Sequence, residues 1–131
     1  MNPTHQDLGK LVLRVTIGLL MLLHGIAKLR TGVDPIAGML AAKGLPGVLA
    51  YGAYVGEVLA PILLIVGFQT RIAAILVAVN MVFAIGLAHA AQIFQLSEQS
   101  GGWAIELQGL YLFGAVAVAL LGAGRYSLDK R

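Results

Sequence analysis

The chain has 131 residues, of which 59% are hydrophobic and only 11% are charged, and its mean hydropathy is +0.87. Soluble domains average roughly 45 to 50% apolar and about 25% charged residues, so this composition indicates an integral membrane protein without a soluble catalytic domain. The absence of cysteine excludes disulfides, thiolate-bound metals and thiol redox relays. The nine Lys and Arg residues form no stripe along the chain, so no nucleic-acid partner is predicted.

Four apolar segments follow one another along the chain, at residues 11–26, 48–68, 72–89 and 105–121. Crossing a hydrocarbon core of roughly 30 Å takes about 20 residues of helix, so four crossings use most of the chain. One domain, residues 1–131, is therefore expected. The short connection between the second and third segments forces an antiparallel helical hairpin. We predict an all-α polytopic membrane protein with four transmembrane helices in an antiparallel bundle.

A short additional helix is predicted between the first and second segments. Asp34 followed by Pro35 is typical of an N-cap and first turn, and Gly44 with Pro46 supplies a stop, so the helix should span residues 35–43. We expect it to lie in the outer membrane interface as a cover over the bundle. Its apolar face consists of Ile36, Met39 and Leu40.

Basic residues at the segment ends predict the topology. With four crossings, the side that holds both termini carries Lys10, Arg14, Arg71, Arg125, Lys130 and Arg131, whereas the opposite side carries Lys28, Arg30 and Lys43. Under the positive-inside rule this distribution predicts that both termini lie in the cytoplasm. Lys43 and Ser100 are then expected to face the outside.

Small residues and prolines indicate how the helices pack. Gly52, Gly56 and Ala60 recur every four residues and predict a close helix approach along one face. Pro61 removes a backbone hydrogen bond and is expected to kink that helix just inside Glu57. A heptad-like pattern on the first segment predicts an inward seam made of Arg14, Gly18, Met21, Gly25 and Lys28.

The ionisable residues that interrupt the apolar segments are the candidate site. Glu57 lies about nine residues, or roughly 14 Å, below the outer end of its helix, where an unpaired charge is costly. Four others are expected at the outer helix ends, so the five could line an outward-opening polar cavity; these four are His24, Lys28, His89 and Glu106. Simpler alternatives are that such side chains reach the interface, or that Glu106 complements a helix dipole.

The third segment and the tail carry further polar residues. Asn80 and His89 differ by nine positions, or about 180° on an ideal helix, so both can face one cavity only if the helix is distorted. Asn80 is expected to join helices, and Trp103 to anchor the chain at the membrane interface. Asp129 is expected to fasten the helix ends by pairing with Arg71 or Arg125.

The chain contains, in order, LLHGIAKL at residues 22–29, AAKGLP at 41–46, GEVLAPILLIVGFQTR at 56–71, GLAHAAQIF at 86–94, GGWAIELQGLYL at 101–112 and GAGRYSLD at 122–129. This series resembles the DoxX family of small four-helix membrane proteins and covers almost the whole sequence. The family is named for a subunit associated with a terminal quinol oxidase. Relatives are linked to thiosulfate:quinone oxidoreduction and to membrane oxidoreductase complexes that protect against oxidative stress.

The resemblance implies a subunit of a quinone-linked or oxidative-stress-related membrane oxidoreductase system, with other subunits and the lipid bilayer as partners and homo-oligomers as a further assembly. In this hypothesis Glu57 and His89 act in catalysis, with Glu57 or Glu106 exchanging protons and His24 or His89 bonding a quinone. Lys28 joins the ligand-binding residues. The motif positions matched by resemblance also include Gly25, Arg71, Arg125, Ser127 and Asp129.

Two alternatives stay open at this point. The first is a divalent metal in place of a quinone, held by His24, Glu57, His89 and Glu106, since imidazole and carboxylate suit Zn, Mn and Fe. The second is a non-catalytic membrane component that binds a partner protein, a metal or a small ligand without turnover. The resemblance by itself does not decide between an enzyme and a binding protein.

Overall fold

The computed structural model describes residues 3–130, and this part of the chain is helical, without strands. Helix α1 spans Pro3–Thr31, α2 spans Asp34–Ala42, α3 spans Gly47–Val66, α4 spans Thr70–Gln92 and α5 spans Glu106–Leu121. The prediction of an all-α protein is confirmed. Helices α1, α3 and α4 are long and apolar enough to cross a membrane, whereas α5 is shorter, with 16 residues or about 24 Å.

The core lies where α1, α3, α4 and α5 meet. Its centre consists of small or slender side chains that are completely or almost completely buried, among them Ala60, Leu64, Ala73, Ala74, Val77 and Ala115. Large apolar side chains on the outer faces of the same helices are exposed instead, as expected of surfaces that contact lipid. The small core residues therefore let the helices approach closely, and the outer faces of the helices are apolar.

The inward seam predicted for α1 is confirmed. Arg14, Gly18, Met21 and Gly25 are buried, and Lys28 is partly buried at the outer end of the row. A Cβ on Gly18 would lie 2.9 Å from the carbonyl oxygen of Pro61, so only glycine lets α1 approach the backbone of α3 this closely.

The predicted small-residue face of α3 is formed at two of its three positions. Gly56 packs against the side chain of Asn80, and Ala60 is fully buried, but no atom would lie within 4 Å of a Cβ on Gly52. The helix contact therefore begins one turn inside Gly52.

Helix α2 begins one residue earlier than predicted. Val33 holds the N-cap position, Asp34 is the first helical residue, and no side chain caps this end. The difference arises because the Val33 backbone, with φ of −111° and ψ of 12°, already turns into the helix.

The C-terminal tail closes the end of the bundle opposite α2. Arg14 donates hydrogen bonds to the carbonyl oxygens of Leu64 and Ile65, at the end of α3, and to that of Tyr126 in the tail. The carbonyl groups at the end of a helix have no N–H donor within the helix, so the guanidinium supplies the missing donors at the end of α3. The backbone of the tail also pairs with that of α3, because the N–H group of Leu128 donates a hydrogen bond to the carbonyl oxygen of Val66.

Asp129 holds the turn between α3 and α4. Its carboxylate accepts hydrogen bonds from the backbone N–H groups of Gln69 and Thr70, at 3.0 and 2.9 Å, where α4 begins. Arg125, predicted as a partner for Asp129, lies instead beside Asp7, with 3.8 Å between Nε and Oδ2. The tail thus fastens the helix ends, with Asp129 serving the backbone of the turn.

The connection before α5 is held by Trp103, predicted as an interfacial anchor. Its indole Nε1 donates to the carbonyl of Ile93 at 2.5 Å, and its ring packs against Gly109. Leu96 and Trp103 form an isolated β-bridge that closes the same loop. This tryptophan therefore fixes the loop onto α5.

Candidate functional site

A cavity of about 570 Å³ lies at the α2 end of the bundle, between α1, α3, α4 and α5. The apolar face predicted for α2 covers it, because Ile36, Met39 and Leu40 all line the cavity. Most of the wall is apolar, and a few polar side chains point into it. They are His24, Lys28, Glu57, Asn80, His89, Gln108 and Tyr111. A mainly apolar wall with few polar groups is typical of small-molecule sites.

Glu57 lies in a distorted part of α3. Residues Val55–Leu59 form a π-helical turn, in which the N–H of Ala60 donates to the carbonyl of Val55, five residues earlier. Pro61 has no N–H to offer the carbonyl of Glu57, so the normal ladder is interrupted at this point. The predicted disturbance at Pro61 therefore takes the form of a π-turn, a feature found often at functional sites.

Two side chains from neighbouring helices hold the buried carboxylate of Glu57. The residue is 4% exposed; Lys28 Nζ lies 2.5 Å from its Oε1, and Asn80 Nδ2 donates to its Oε2 at 3.0 Å. Both oxygens thus have a donor, one of them charged. Pairing of this kind is needed because an isolated charge at membrane depth costs several kcal/mol.

Two glycines make this arrangement possible. A Cβ on Gly25 would overlap the carbonyl of Glu57, and a Cβ on Gly56 would lie 2.5 Å from the Cβ of Asn80. The glycines therefore bring α1 and α4 close enough for Lys28 and Asn80 to reach the same carboxylate. Gly25 and Lys28 are three residues apart and therefore lie on the same face of α1.

His89 ends a second π-helical segment, Ile85–His89, in α4. One residue added to a helical turn rotates the following side chains by about 100°, which reduces the expected 180° between Asn80 and His89. Both residues consequently line the cavity. The helix distortion that Asn80 and His89 need in order to face one cavity is therefore present.

The imidazole of His89 lies between two glutamines. Its Nδ1 is 2.8 Å from Oε1 of Gln92, and its Nε2 is 3.3 Å from Nε2 of Gln108. These distances fit an imidazole that carries its hydrogen on Nδ1 and accepts from Gln108 through Nε2. Displacement of Gln108 would free Nε2 to accept a hydrogen bond from a ligand.

His24 forms part of the wall on α1. Its ring meets that of Tyr111 edge to face, with 5.6 Å between the ring centres and 85° between the planes. An edge-to-face geometry of this kind is favourable for two aromatic rings. His24 and Lys28 lie on one face of α1, as their four-residue spacing predicts.

Glu106 does not join this group. It is exposed at the first residue of α5, its carboxylate lies against Gly102, and it is not among the residues that line the cavity. Its position in the first turn suits the helix dipole, which was the simpler alternative. The prediction that Glu106 helps to line the cavity is therefore corrected.

The metal site considered from the sequence is not assembled. Within residues 3–130, no three His, Asp or Glu side chains are grouped so that they could hold a metal ion. Of the four proposed ligands, Glu57 is engaged by Lys28 and Asn80, and Glu106 lies outside the cavity.

Three polar residues of the site were not predicted to belong to it. The sequence predicts only that Asn80 joins helices, and it does so by donating a hydrogen bond to Glu57 directly. Gln108 and Tyr111 carried no signal beyond their place near the start of the fourth segment. Their spacing of three residues puts both on one face of α5, which a search for polar residues at helical spacing could have found.

Comparison with known proteins gives three matches. The profile of the DoxX family matches residues 9–90. A Bacillus subtilis (strain 168) protein named "Putative oxidoreductase CatD" is 30% identical over 123 residues, covering 94% of this chain and 86% of that protein. An uncharacterized protein of Haemophilus influenzae is 32% identical over 122 residues, covering 91% and 87% respectively. No solved structure matches the chain.

Proposed function

This chain belongs to the DoxX family, and from that premise we propose that it is the membrane subunit of a quinone-linked oxidoreductase system. Its cavity receives the ring of a quinone or quinol. The observation that carries the proposal is the buried Glu57, held by Lys28 and Asn80 in the wall of a cavity that is otherwise mainly apolar. The similarity to a protein named as an oxidoreductase supports the same reaction class.

The cavity suits a flat ring that bears two oxygen atoms. Its volume of about 570 Å³ falls within the usual range for small-ligand sites, roughly 300 to 1,000 Å³. Its apolar wall accepts the ring faces. The polar residues fall into two groups, the Glu57 group on α1, α3 and α4 and the His89–Gln108 pair on α4 and α5. We assign one ring oxygen to each group.

Reduction of a quinone takes up two electrons and two protons, and the residues of this chain serve the protons. Lys28 donates to Glu57 Oε1, so a proton can be held between the ammonium and the carboxylate and passed to a ring oxygen. Asn80 keeps the other carboxylate oxygen in place. In the direction of quinol oxidation, Nε2 of His89 accepts the proton of the second hydroxyl group; in the direction of reduction, the imidazole must first take up a proton before Nε2 can donate one to the second oxygen. Partner subunits of the system supply or receive the electrons.

For the membrane arrangement we propose four crossings in an antiparallel bundle. Helix α5 packs extensively against α4, and the tail after Leu121 continues to the end of the bundle that Arg14 closes. The location is the bacterial inner membrane, with both termini in the cytoplasm and the cavity opening outward. The basic residues of the termini and of the α3–α4 turn support this orientation.

Replacement of Glu57 tests the function directly. Glu57→Gln preserves the shape of the side chain but removes its charge and one of its two acceptor oxygens, and Glu98→Gln makes the same change on an exposed loop. The probe is a headgroup-only benzoquinone, with binding measured by calorimetry on protein in lipid nanodiscs. We expect affinity to fall about tenfold or more in the first variant, the cost of one charge-assisted hydrogen bond, and to stay unchanged in the second. Unchanged affinity in both variants would exclude Glu57 from the site.

A second candidate function, ligand binding without turnover, is favoured by the closeness of the Lys28–Glu57 pair. An ion pair at 2.5 Å with Asn80 on the other oxygen is stable as it stands and needs no proton exchange. Quinol oxidation by membranes that contain the wild-type protein, compared with membranes that contain Glu57→Gln, separates the two. Equal rates together with lost binding would favour the non-catalytic function.

A further inference from the structure

One side of the cavity wall is also part of the outer surface of the protein. Val55 on α3 and Val79 and Phe83 on α4 line the cavity, yet their exposed fractions are 41%, 46% and 56%. A side chain that borders the cavity and the surface at once marks an edge of an opening. One part of the opening therefore lies between α3 and α4, and Leu107 on α5, which is 50% exposed, marks another part of its edge.

The shape of α3 accounts for this gap. Gly52 is exposed, lines the cavity and has no atom within 4 Å of the place where its Cβ would lie. One turn further along α3, Gly56 packs tightly against Asn80. The two helices thus touch at Gly56 and Asn80 and separate beside Gly52, so the opening has the Glu57 group at its inner edge.

The opening faces lipid. Both helices are among those long and apolar enough to cross a membrane, and Val79 lies nine residues, or about 14 Å, along α4 from Thr70. That position is near the middle of a hydrocarbon core roughly 30 Å thick. The three side chains at the edge are apolar, whereas the exposed edge of the cavity on α1 carries the imidazole of His24.

We propose that the ligand is a membrane-dissolved amphiphile that enters sideways from the bilayer between α3 and α4. Its polar ring lies at Lys28 and Glu57, and its apolar tail extends through the gap beside Gly52, Val55, Val79 and Phe83. This inference rests on the proposed function, since it identifies which quinones fit: those with a long tail. The charged pair inside and the apolar edges outside match the two ends of such a molecule.

The test fills the gap and compares two probes, a headgroup-only benzoquinone and its decyl-tailed analogue. Val79→Trp closes the opening from α4, and Gly52→Leu closes it from α3, where the side chain has space. Ile72→Trp is the matched control, because Ile72 lies two turns away on the same face, is 58% exposed and does not line the cavity. Affinities are measured by calorimetry in nanodiscs, and each probe is compared between variants so that its partition into lipid cancels.

We expect both gap-filling variants to bind the decyl probe about tenfold more weakly or worse, because forcing a chain into filled space is costly. The affinity of the gap-filling variants for the headgroup-only probe should change less than about twofold. The control variant should keep its affinity for both probes. Equal effects on both probes, or no effect on either, would overturn lateral entry. If dodecanol displaced the decyl-tailed probe as effectively as the unlabelled probe itself does, the gap would accept any alkyl chain. That result would also overturn the proposal that the ligand is a tailed quinone.

The outcome for the proposed function is read separately. If the headgroup-only probe binds wild-type protein and Glu57→Gln removes that binding, the quinone site stands whatever the gap variants do. If neither probe binds wild-type protein, the proposed function fails, and lateral entry of a tailed quinone fails with it.

Discussion

Arg14 should be the most sensitive position on the cytoplasmic side proposed for the protein. It is 1% exposed, and its guanidinium donates to Leu64, Ile65 and Tyr126 at 2.6, 2.8 and 2.6 Å. Asp129 lies close enough to attract its charge. Arg14→Met keeps an unbranched, flexible apolar side chain but removes all of these donors.

The magnitude follows from the three carbonyl groups left without a partner. Each buried unsatisfied group costs about 1 to 3 kcal/mol, which gives roughly 3 to 9 kcal/mol before any relaxation. We expect a loss of about 3 to 5 kcal/mol, since water can reach part of the freed tail. Arg14→Lys should lose less, because an ammonium keeps the charge but not the planar fork.

The assay is unfolding in mild detergent by increasing dodecyl sulfate, followed by circular dichroism and by the fluorescence of Trp103. Arg71→Met is the matched control, because Arg71 lies in the first turn of α4 at the same end of the bundle but is exposed. Its effect should stay within about 0.5 kcal/mol. If Arg14→Met were no more destabilising than this control, the proposed closure of the helix ends by Arg14 would be refuted.

Two further predictions concern packing and topology. Gly25→Ala should destabilise the protein by about 1 to 3 kcal/mol in the same assay and weaken benzoquinone binding, because its Cβ meets the Glu57 carbonyl. Gly9→Ala, which has open space, should be neutral or stabilising by about 0.5 to 1 kcal/mol, and equal effects would contradict the argument. Single cysteines at Lys43 or Ser100 should react with an impermeant thiol reagent in spheroplasts, and one at Lys130 should not; the reverse pattern would invert the topology.

Some features of the site could be predicted from the sequence because they depend on spacing along one helix. The small and polar residues of α1 repeat with a helical period, so their common face was predictable and is confirmed. The apolar face of α2 was predictable for the same reason. Glu57 stood out because a carboxylate within an apolar run requires a partner.

The identity of that partner was not predictable, because it depends on how far separate helices approach each other. Lys28 reaches Glu57 only because Gly25 lets α1 touch the backbone of α3, and Asn80 does so only because Gly56 leaves room. The position of the π-turn at Ile85–His89 was not predictable either, because no residue type in the sequence marks the turn in which a helix takes up one extra residue.

The sequence by itself determined the class of this protein, its apolar helices and the residues too polar to face lipid, because these follow from composition and helical period. Only the tertiary structure decided which polar residues meet. It left Glu106 outside the cavity, put Asn80 and Gln108 into it, and opened the wall between α3 and α4. Contacts between helices depend on shape at every position along them, and a one-dimensional pattern does not contain that information.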